Sequence, residues 1–267
     1  MSQLLVLKDL VKDFKVGGKK SFRALENVSF SIEEGKTFGL VGESGSGKST
    51  VSRIVSRLTS PTSGEVIFNG EDVLTKKGAD LFAYRSQVQM IFQDPFASLN
   101  QRMTVEELIC EPFEIHKLYT SQERITRAKL LIDQVGLSSD SLRRKPTEFS
   151  GGQRQRILIA RAIALKPKLL IADEPVSALD VLIQAQILNL LKDLQDELNL
   201  TYLFVSHDLS VVKFMSDSIG VMQNGKIIES GEAEEIYRNP KTEYTKNLLN
   251  SIPSEATALH NRKVRVI

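Results

Sequence analysis

The sequence predicts an α/β fold with a parallel sheet, and three observations carry that expectation. Short apolar runs bounded by turn residues alternate with stretches of helical periodicity. The run Thr37 to Val41 passes through Gly42-Glu43-Ser44-Gly45-Ser46-Gly47-Lys48-Ser49 into a helical stripe, which is the strand, loop and helix setting that the pattern G-x-x-x-x-G-K-[ST] requires. The chain has 267 residues, 41% hydrophobic and 25% charged, with only 16 glycines and 8 prolines, which fits one globular unit with an added lobe or tail.

Each element follows from its pattern. Leu4 to Leu7, Val28 to Ile32, Thr37 to Val41 and Glu65 to Phe68 read as strands, the last closing at the hairpin dipeptide Asn69-Gly70. From Lys48, residues Val51, Ile54, Val55 and Leu58 mark one buried helical face, with Pro61 as the expected stop. Residues 94 to 164 read as mostly helical. Ile125, Ala128, Leu131, Ile132 and Val135 form one stripe, and a further helix, Arg154 to Leu165, opens after Ser150. Then come the strand Leu169 to Ala172, an amphipathic helix from about Leu182 to Leu198, the strand Tyr202 to Val205 and a hairpin at Asn224-Gly225. Residues 231 to 267, with Pro240, Pro253 and a basic end, read as a docked tail. No internal repeat is visible.

Composition removes several classes of function. Lys and Arg number 35 against 33 Asp and Glu, a balance of +2 that is too even for a chain whose affinity rests on neutralising many nucleic-acid phosphates. A lone cysteine, Cys110, can form neither an internal disulfide nor a cysteine-rich metal site, so an inert thiol in a reducing compartment is expected. No apolar run reaches the 18 residues of a membrane span, and Lys8, Asp9, Lys12 and Asp13 interrupt the opening segment. The chain is expected to be neither secreted nor membrane-spanning, while attachment to a membrane protein stays open.

The phosphate loop assigns clear roles. Its glycines let backbone N–H groups turn onto phosphates, the helix N-terminus adds positive potential, Lys48 reaches the β and γ phosphates, and the Ser49 hydroxyl ligates Mg²⁺. Lys168-Leu169-Leu170-Ile171-Ala172-Asp173-Glu174 is an apolar strand ending in two acids. Neighbouring strand residues face opposite ways, so Asp173 is expected to serve the Mg²⁺ shell and Glu174 to act as general base toward an attacking water. Ser150-Gly151-Gly152-Gln153 fits a capping box, and equally a helix N-terminus bared for a second phosphate contact. Taken alone, capping is the simpler reading. His207, after a strand, is placed to donate to a γ-phosphate or to serve structure, and Gln93 to touch Mg²⁺ and water or only solvent.

Together, the phosphate loop, Gln93, Ser150 to Gln153, the Asp173-Glu174 pair, Ser177-Ala178-Leu179-Asp180 and His207 follow the motif order of the ATP-binding-cassette ATPases, which the chain resembles over nearly its whole length. The resemblance implies an α/β fold with a P-loop RecA-like core, an antiparallel β lobe and an inserted helical lobe. It divides the chain into residues 1–93 (first half of the core with the β lobe), 94–164 (helical lobe), 165–230 (second half of the core) and 231–267 (C-terminal extension). It further implies ATP and Mg²⁺ as cofactors. Nucleotide contacts then fall to Gly42, Ser44, Gly45, Ser46, Gly47, Lys48, Ser49 and Thr50, and metal contacts to Ser49, Gln93 and Asp173. Catalysis falls to Glu174, His207 and Gln93. Cassettes of this family pair head to tail, so Ser150, Gly151, Gly152 and Gln153 would grip ATP held by a partner cassette, and Asp180 would support the opposing site. Phe149 stands where Leu is usual. Phe14 matches the aromatic that stacks on adenine, with Phe22 as the alternative and plain core packing as a third reading.

Two stretches narrow the resemblance to the oligopeptide, dipeptide and nickel importer branch: Gln93-Asp94-Pro95-Phe96-Ala97-Ser98-Leu99-Asn100 with Arg102 to Val105, and the tail Asn239 to Thr245 with Leu248-Leu249 and Ile252-Pro253. Thr242-Glu243 departs from the frequent His-Pro, and the tail has no cysteines for the iron–sulfur cluster of some relatives. The branch implies an ATPase on the cytoplasmic face of the membrane, paired with a second and different cassette, two permeases and an extracellular solute-binding protein, and acting on no nucleic acid. Nickel or metal-chelate import is the alternative cargo. A soluble cassette acting on DNA or ribosomes would carry coiled-coil arms or a second cassette. A GTPase would carry Asn-Lys-x-Asp, which does not occur, and an inactive cassette fits poorly with Glu174 and His207 both present.

Overall fold

The computed structural model describes residues 2–15, 17 and 21–250, so the expected Ile252-Pro253 pair and the basic end lie outside the described residues. In chain order, β1 (Gln3–Lys15) and β2 (Ser21–Glu33) pair antiparallel. Next, β3 (Thr37–Val41) runs through the phosphate loop into α1 (Lys48–Val55). A hairpin of β4 (Ser63–Phe68) and β5 (Glu71–Asp72) turns at Asn69-Gly70, both at positive φ as that turn requires. Then α2 (Gly78–Gln87) leads to β6 (Val88–Ile91). Four helices follow: α3 (Pro95–Ser98), α4 (Val105–Ile115), α5 (Ser121–Gln134) and α6 (Gly151–Ile163). The chain re-enters the sheet with β7 (Leu169–Asp173), crosses by α7 (Val181–Leu198) to β8 (Thr201–Ser206), and continues through α8 (Leu209–Met215) to the hairpin β9 (Ser218–Gln223) and β10 (Lys226–Glu232). Two tail helices close it, α9 (Ala233–Arg238) and α10 (Glu243–Asn250).

Among the described residues the strands form two sheets. One is antiparallel, in the order β2-β1-β4-β5. The other has six strands in the order β10-β9-β3-β8-β7-β6, parallel from β9 to β6, with β10 antiparallel at its edge. The phosphate-loop strand therefore lies inside the sheet, and the acid-bearing β7 is separated from it by β8 alone. Both end at the same edge, where open α/β sheets place ligands.

The central sheet is buried on both faces, and side-chain alternation divides its strands between two cores. Leu170, Ala172, Tyr202 and Phe204 pack with the helices, whereas Leu169, Ile171, Leu203 and Val205 pack with α1 and the antiparallel sheet. That double burial explains the near-continuous apolar runs seen in the sequence. In α1, Val51, Ile54 and Val55 are fully buried, each contributing roughly 1.5–3 kcal/mol by leaving water. Leu58, the expected fourth member of the stripe, is 56% exposed. The helix ends before it: Arg57 turns left-handed, its N–H bonds Ile54 O, and Leu58 N–H bonds Arg53 O. This Schellman stop precedes Pro61, which is not the terminator.

Residues 95–163 hold the expected helical segment. Capping boxes start α4 (Thr104 with Glu107), α5 (Thr120 with Glu123) and α6 (Ser150 with Gln153), each worth about 1 kcal/mol. The third helix begins at Gly151 and ends at Ile163, three residues earlier at its start than Arg154, because the two glycines are its first turn. Cys110 is buried in α4, and burial pushes its thiol up to about 11, so it is held as an unreactive thiol.

One carboxylate anchors the start of the last helix. Glu229 on β10 accepts hydrogen bonds from Lys241 N (2.7 Å), Thr242 N (3.0 Å) and Thr242 Oγ1 (3.0 Å). Burial tends to raise its pKa, but these bonds and one with Thr245 prevail and hold it below the usual carboxylate range. Thr242 Oγ1 also accepts from Thr245 N, which starts α10. The departure from His at this position thus places a helix-capping hydroxyl.

Candidate functional site

The phosphate loop is shaped from outside as well as from within. Gly42 has φ +151°, and a Cβ there would lie 2.1 Å from Met222 O. Gly47 has φ +109°, and a Cβ would lie 2.7 Å from Ala24 O. Neither position admits another residue without strain. Gly225 N–H, in the β9–β10 turn, donates to Ser46 O at 2.9 Å and pins the loop. Because Gly47 caps α1 without a side chain, the first-turn N–H groups lack a side-chain partner, which is how helix N-termini receive anions.

Lys48 is 4% exposed and donates from Nζ to Gly42 O (2.7 Å) and Glu43 O (2.9 Å). A third, longer contact reaches Ser46 Oγ at 3.5 Å, the weakest of the three and the one a phosphate oxygen can replace. Burial lowers its pKa, opposed by the charges of Glu174, Asp173 and Glu43.

Asp173 ends β7 and is buried behind Ser49, whose Oγ donates to its Oδ1 at 3.3 Å. Burial pushes the Asp173 carboxyl above its usual range, against the Ser49 bond. Glu174 points elsewhere, but for a reason strand alternation does not supply. It has left the strand, with φ +51° and its N–H donating to Val205 O at 2.8 Å. A left-handed non-glycine residue costs about 1–3 kcal/mol, a strain that clusters at functional sites. Gln93 Nε2 donates to Glu174 Oε2 at 3.0 Å, and His207 Nδ1 lies 3.1 Å from Oε1. Each carboxylate oxygen keeps a lone pair for a water. With Nδ1 turned to the carboxylate, a neutral His207 has no proton on Nε2, so donation to a γ-phosphate needs the imidazolium or the other tautomer.

These groups open on a cavity of about 740 Å³. Gly42, Ser44, Gly45, Gly47, Lys48, Ser49 and Thr50 line one part, and Gln93, Glu174 and His207 also face it. Phe14 and Phe22 line it as well, and they are cross-strand partners in the β1–β2 register. The first choice and the alternative for the base-stacking ring are therefore adjacent on one wall. Neither is core, at 39% and 56% exposed.

Ser150 to Gln153 and Asp180 do not line this cavity. The first is the capping box of α6, with Gln153 N–H on Ser150 Oγ at 3.3 Å and Ser150 N–H on Gln153 Oε1 at 3.0 Å. Asp180 caps α7 through Ile183 N–H at 3.1 Å. Ser150, Gly151, Gln153 and Asp180 are all exposed. Sequence reasoning assigned no site role to two tail residues: Leu248 lines the cavity, and Tyr244 Oη accepts from Glu43 N at 3.1 Å across 201 positions of sequence. No spacing rule signals such a contact.

A phosphate cradle on β3, a buried acid behind the loop serine and a glutamate aimed at the cavity define a P-loop nucleoside triphosphatase. The comparisons with known proteins are specific. The family described as ABC transporter matches residues 25–177. The chain is 50% identical over 266 residues to the oligopeptide transport ATP-binding protein OppF of Streptococcus mutans, covering 99% of this chain and 86% of that one. It is 54% identical over 255 residues to the dipeptide transport ATP-binding protein DppF of Lactococcus lactis, covering 94% and 82%. Among solved structures, the dimeric post-hydrolysis state of the ATP-binding cassette MJ0796, bound to ADP and Pi, matches with a TM-score of 0.77 at 33% identity, covering 86% of this chain and 98% of that one. The chain belongs to the ABC transporter family and is an ATP-binding, ATP-hydrolysing cassette. Among the described residues no helix is long and apolar enough to cross a membrane.

Proposed function

We propose that this chain is the ATP-hydrolysing subunit, seated on the cytoplasmic face of the cell membrane, of an importer that takes up oligopeptides or dipeptides across that membrane. The observation that carries the catalytic part is Glu174, held by Gln93 and His207 on separate oxygens at the wall of the phosphate-loop cavity. The names of the OppF and DppF relatives support the peptide cargo.

In this reading Lys48 and the loop N–H groups grip the β and γ phosphates, and one ring of the Phe14–Phe22 pair stacks on adenine. Glu174 takes the proton of the attacking water, with Gln93 and His207 fixing its orientation. Mg²⁺ would be held by Ser49, Asp173 and Gln93 beside the phosphates, where it would neutralise their charge. One carboxylate, a hydroxyl and an amide suit this ion, which binds through few protein ligands plus substrate phosphates. Ser150, Gly151, Gly152, Gln153 and Asp180 act on the nucleotide of a partner cassette, which the exposure of Ser150, Gly151, Gln153 and Asp180 away from this chain's own cavity supports; Gly152 is buried and would act through the helix backbone. The partners are a second, different cassette, two permeases and a solute-binding protein.

Two expected results test this reading. The isolated chain should be a poor ATPase whose activity rises when the second cassette and the permeases are added. Full turnover by a preparation that light scattering shows to be strictly monomeric would contradict the shared site. A strain lacking this chain should lose uptake of a labelled oligopeptide and regain it from a wild-type copy but not from one carrying Glu174→Gln. Persistent peptide uptake, with loss of nickel or metal-chelate accumulation instead, would overturn the cargo and leave the ATPase standing.

A further inference from the structure

The phosphate loop touches a part of the chain that its motif does not include. Glu43 is the second residue of the loop, and its N–H donates to the phenol oxygen of Tyr244, on α10, at 3.1 Å. One turn further along the same helix, Leu248 lines the nucleotide cavity together with Phe14, Phe22 and Ala24. The helix is seated by the buried Glu229 carboxylate, which fixes the backbone of Lys241 and Thr242 at its start. Thr245, fully buried, shares the hydroxyl bond of Thr242 at 2.8 Å and holds the first turn. The face of α10 that carries Tyr244 and Leu248 is therefore fixed toward the loop by bonds outside the cavity.

We propose that α10 is a working part of the nucleotide site: Tyr244 is a positioning residue that holds the Glu43 backbone and so sets the opening of the phosphate loop, while Leu248 forms part of the wall against the bound nucleotide. The argument is one of hydrogen-bond inventory. Lys48 Nζ bonds the carbonyls of Gly42 and Glu43, fixing those two residues from inside the loop. The Glu43 N–H is fixed from outside by Tyr244, so both sides of this residue are held and the loop presents its remaining N–H groups at a set width. A loop released on the outer side samples wider states and loses the advantage of being formed in advance. Since the wall and the prop sit on one helix, nucleotide binding and the docking of α10 are linked, and linkage is reciprocal: each stabilises the other by the same factor.

This inference rests on the reading of the cavity as the ATP site, and the test separates the two. The full-length chain is compared as wild type, Lys48→Ala, Tyr244→Phe and Leu248→Ala, by equilibrium titration with ATP and by steady-state hydrolysis in the assembled complex. Tyr244→Phe keeps the ring and its packing and removes only the acceptor. It should weaken ATP binding and raise KM by about threefold to tenfold, the scale of one hydrogen bond, with kcat within about twofold. Leu248→Ala should weaken binding to a similar extent. Hydrogen exchange over residues 243–250 should slow when ATP is added to wild type, and less so in Tyr244→Phe. Unchanged Kd and KM in Tyr244→Phe, with ATP leaving exchange in α10 unaltered, would overturn the proposal. A fall in kcat and thermal stability with KM unchanged would reduce Tyr244 to a structural residue and overturn it equally. If Lys48→Ala also left binding unchanged, the cavity itself would be misassigned.

Discussion

Replacing Glu174 with glutamine is expected to lower steady-state ATP turnover by about 10²- to 10⁴-fold while leaving ATP affinity near wild type. The amide preserves shape and its one oxygen can still accept from either Gln93 or His207, but its NH2 group cannot accept from the other, nor take the proton of the attacking water. Binding survives because the phosphate grip is made elsewhere, by Lys48 and the loop. Uncleaved ATP should then accumulate in a closed pair of cassettes, seen by size-exclusion chromatography with nucleotide present. Turnover within about threefold of wild type in the purified complex would remove Glu174 from the role of base. The left-handed backbone of Glu174 adds a control, because the glutamine side chain leaves that strain in place. Loss of activity without loss of folding is therefore the expected pattern.

Lys48→Ala should act on affinity itself. Hydrogen bonds from a charged donor contribute about 1.5–3 kcal/mol each, so losing the contacts to the β and γ phosphates is expected to weaken ATP binding by about 10²-fold or more. A second cost follows from the geometry. The carbonyls of Gly42 and Glu43 lose their shared donor, so the loop is expected to lose its set shape along with its charge. Arginine at this position keeps the charge but not the compact fit of a side chain only 4% exposed, and should recover affinity in small part. Titration with ATP and with ADP separates part of the effect: loss of the γ-phosphate contact falls on ATP alone, whereas loss of the β-phosphate contact and of loop shape falls on both. An unchanged dissociation constant for ATP would argue against the phosphate-loop role.

Much of this architecture was legible because it rests on local rules. The strand Thr37–Val41 was read to the residue, since full burial on both faces leaves an unbroken apolar run between polar turns. The cap at Ser150 was legible because a capping box needs only four residues. Other features failed wherever the cause lay outside the local window. The end of α1 is set by a left-handed Arg57, for which the sequence offers no glycine or asparagine as a marker. The divergence of Asp173 and Glu174 was expected, but from strand alternation; the cause is a chain that leaves the sheet between them. Phe14 and Phe22 read as rivals along the sequence and are neighbours across two strands. The Tyr244 contact with Glu43 was invisible because it depends on where β10 delivers the tail. Short motifs thus pointed to residues that line one cavity, Gly42, Lys48, Ser49 and Glu174 among them, and gave no sign of the tertiary supports that position them.

The buried Cys110 bears on how the cycle of this protein can be watched. With its only thiol shielded and pushed up to about 11, the wild-type chain is expected to react little with maleimides and similar reagents at neutral pH. A single cysteine introduced at an exposed site, such as Leu182→Cys beside the Asp180 cap, can then carry a fluorophore or spin label without first removing the native thiol. That spares α4 a cavity-forming substitution and leaves the label to report, from one defined position, whether the proposed second cassette approaches when ATP is added.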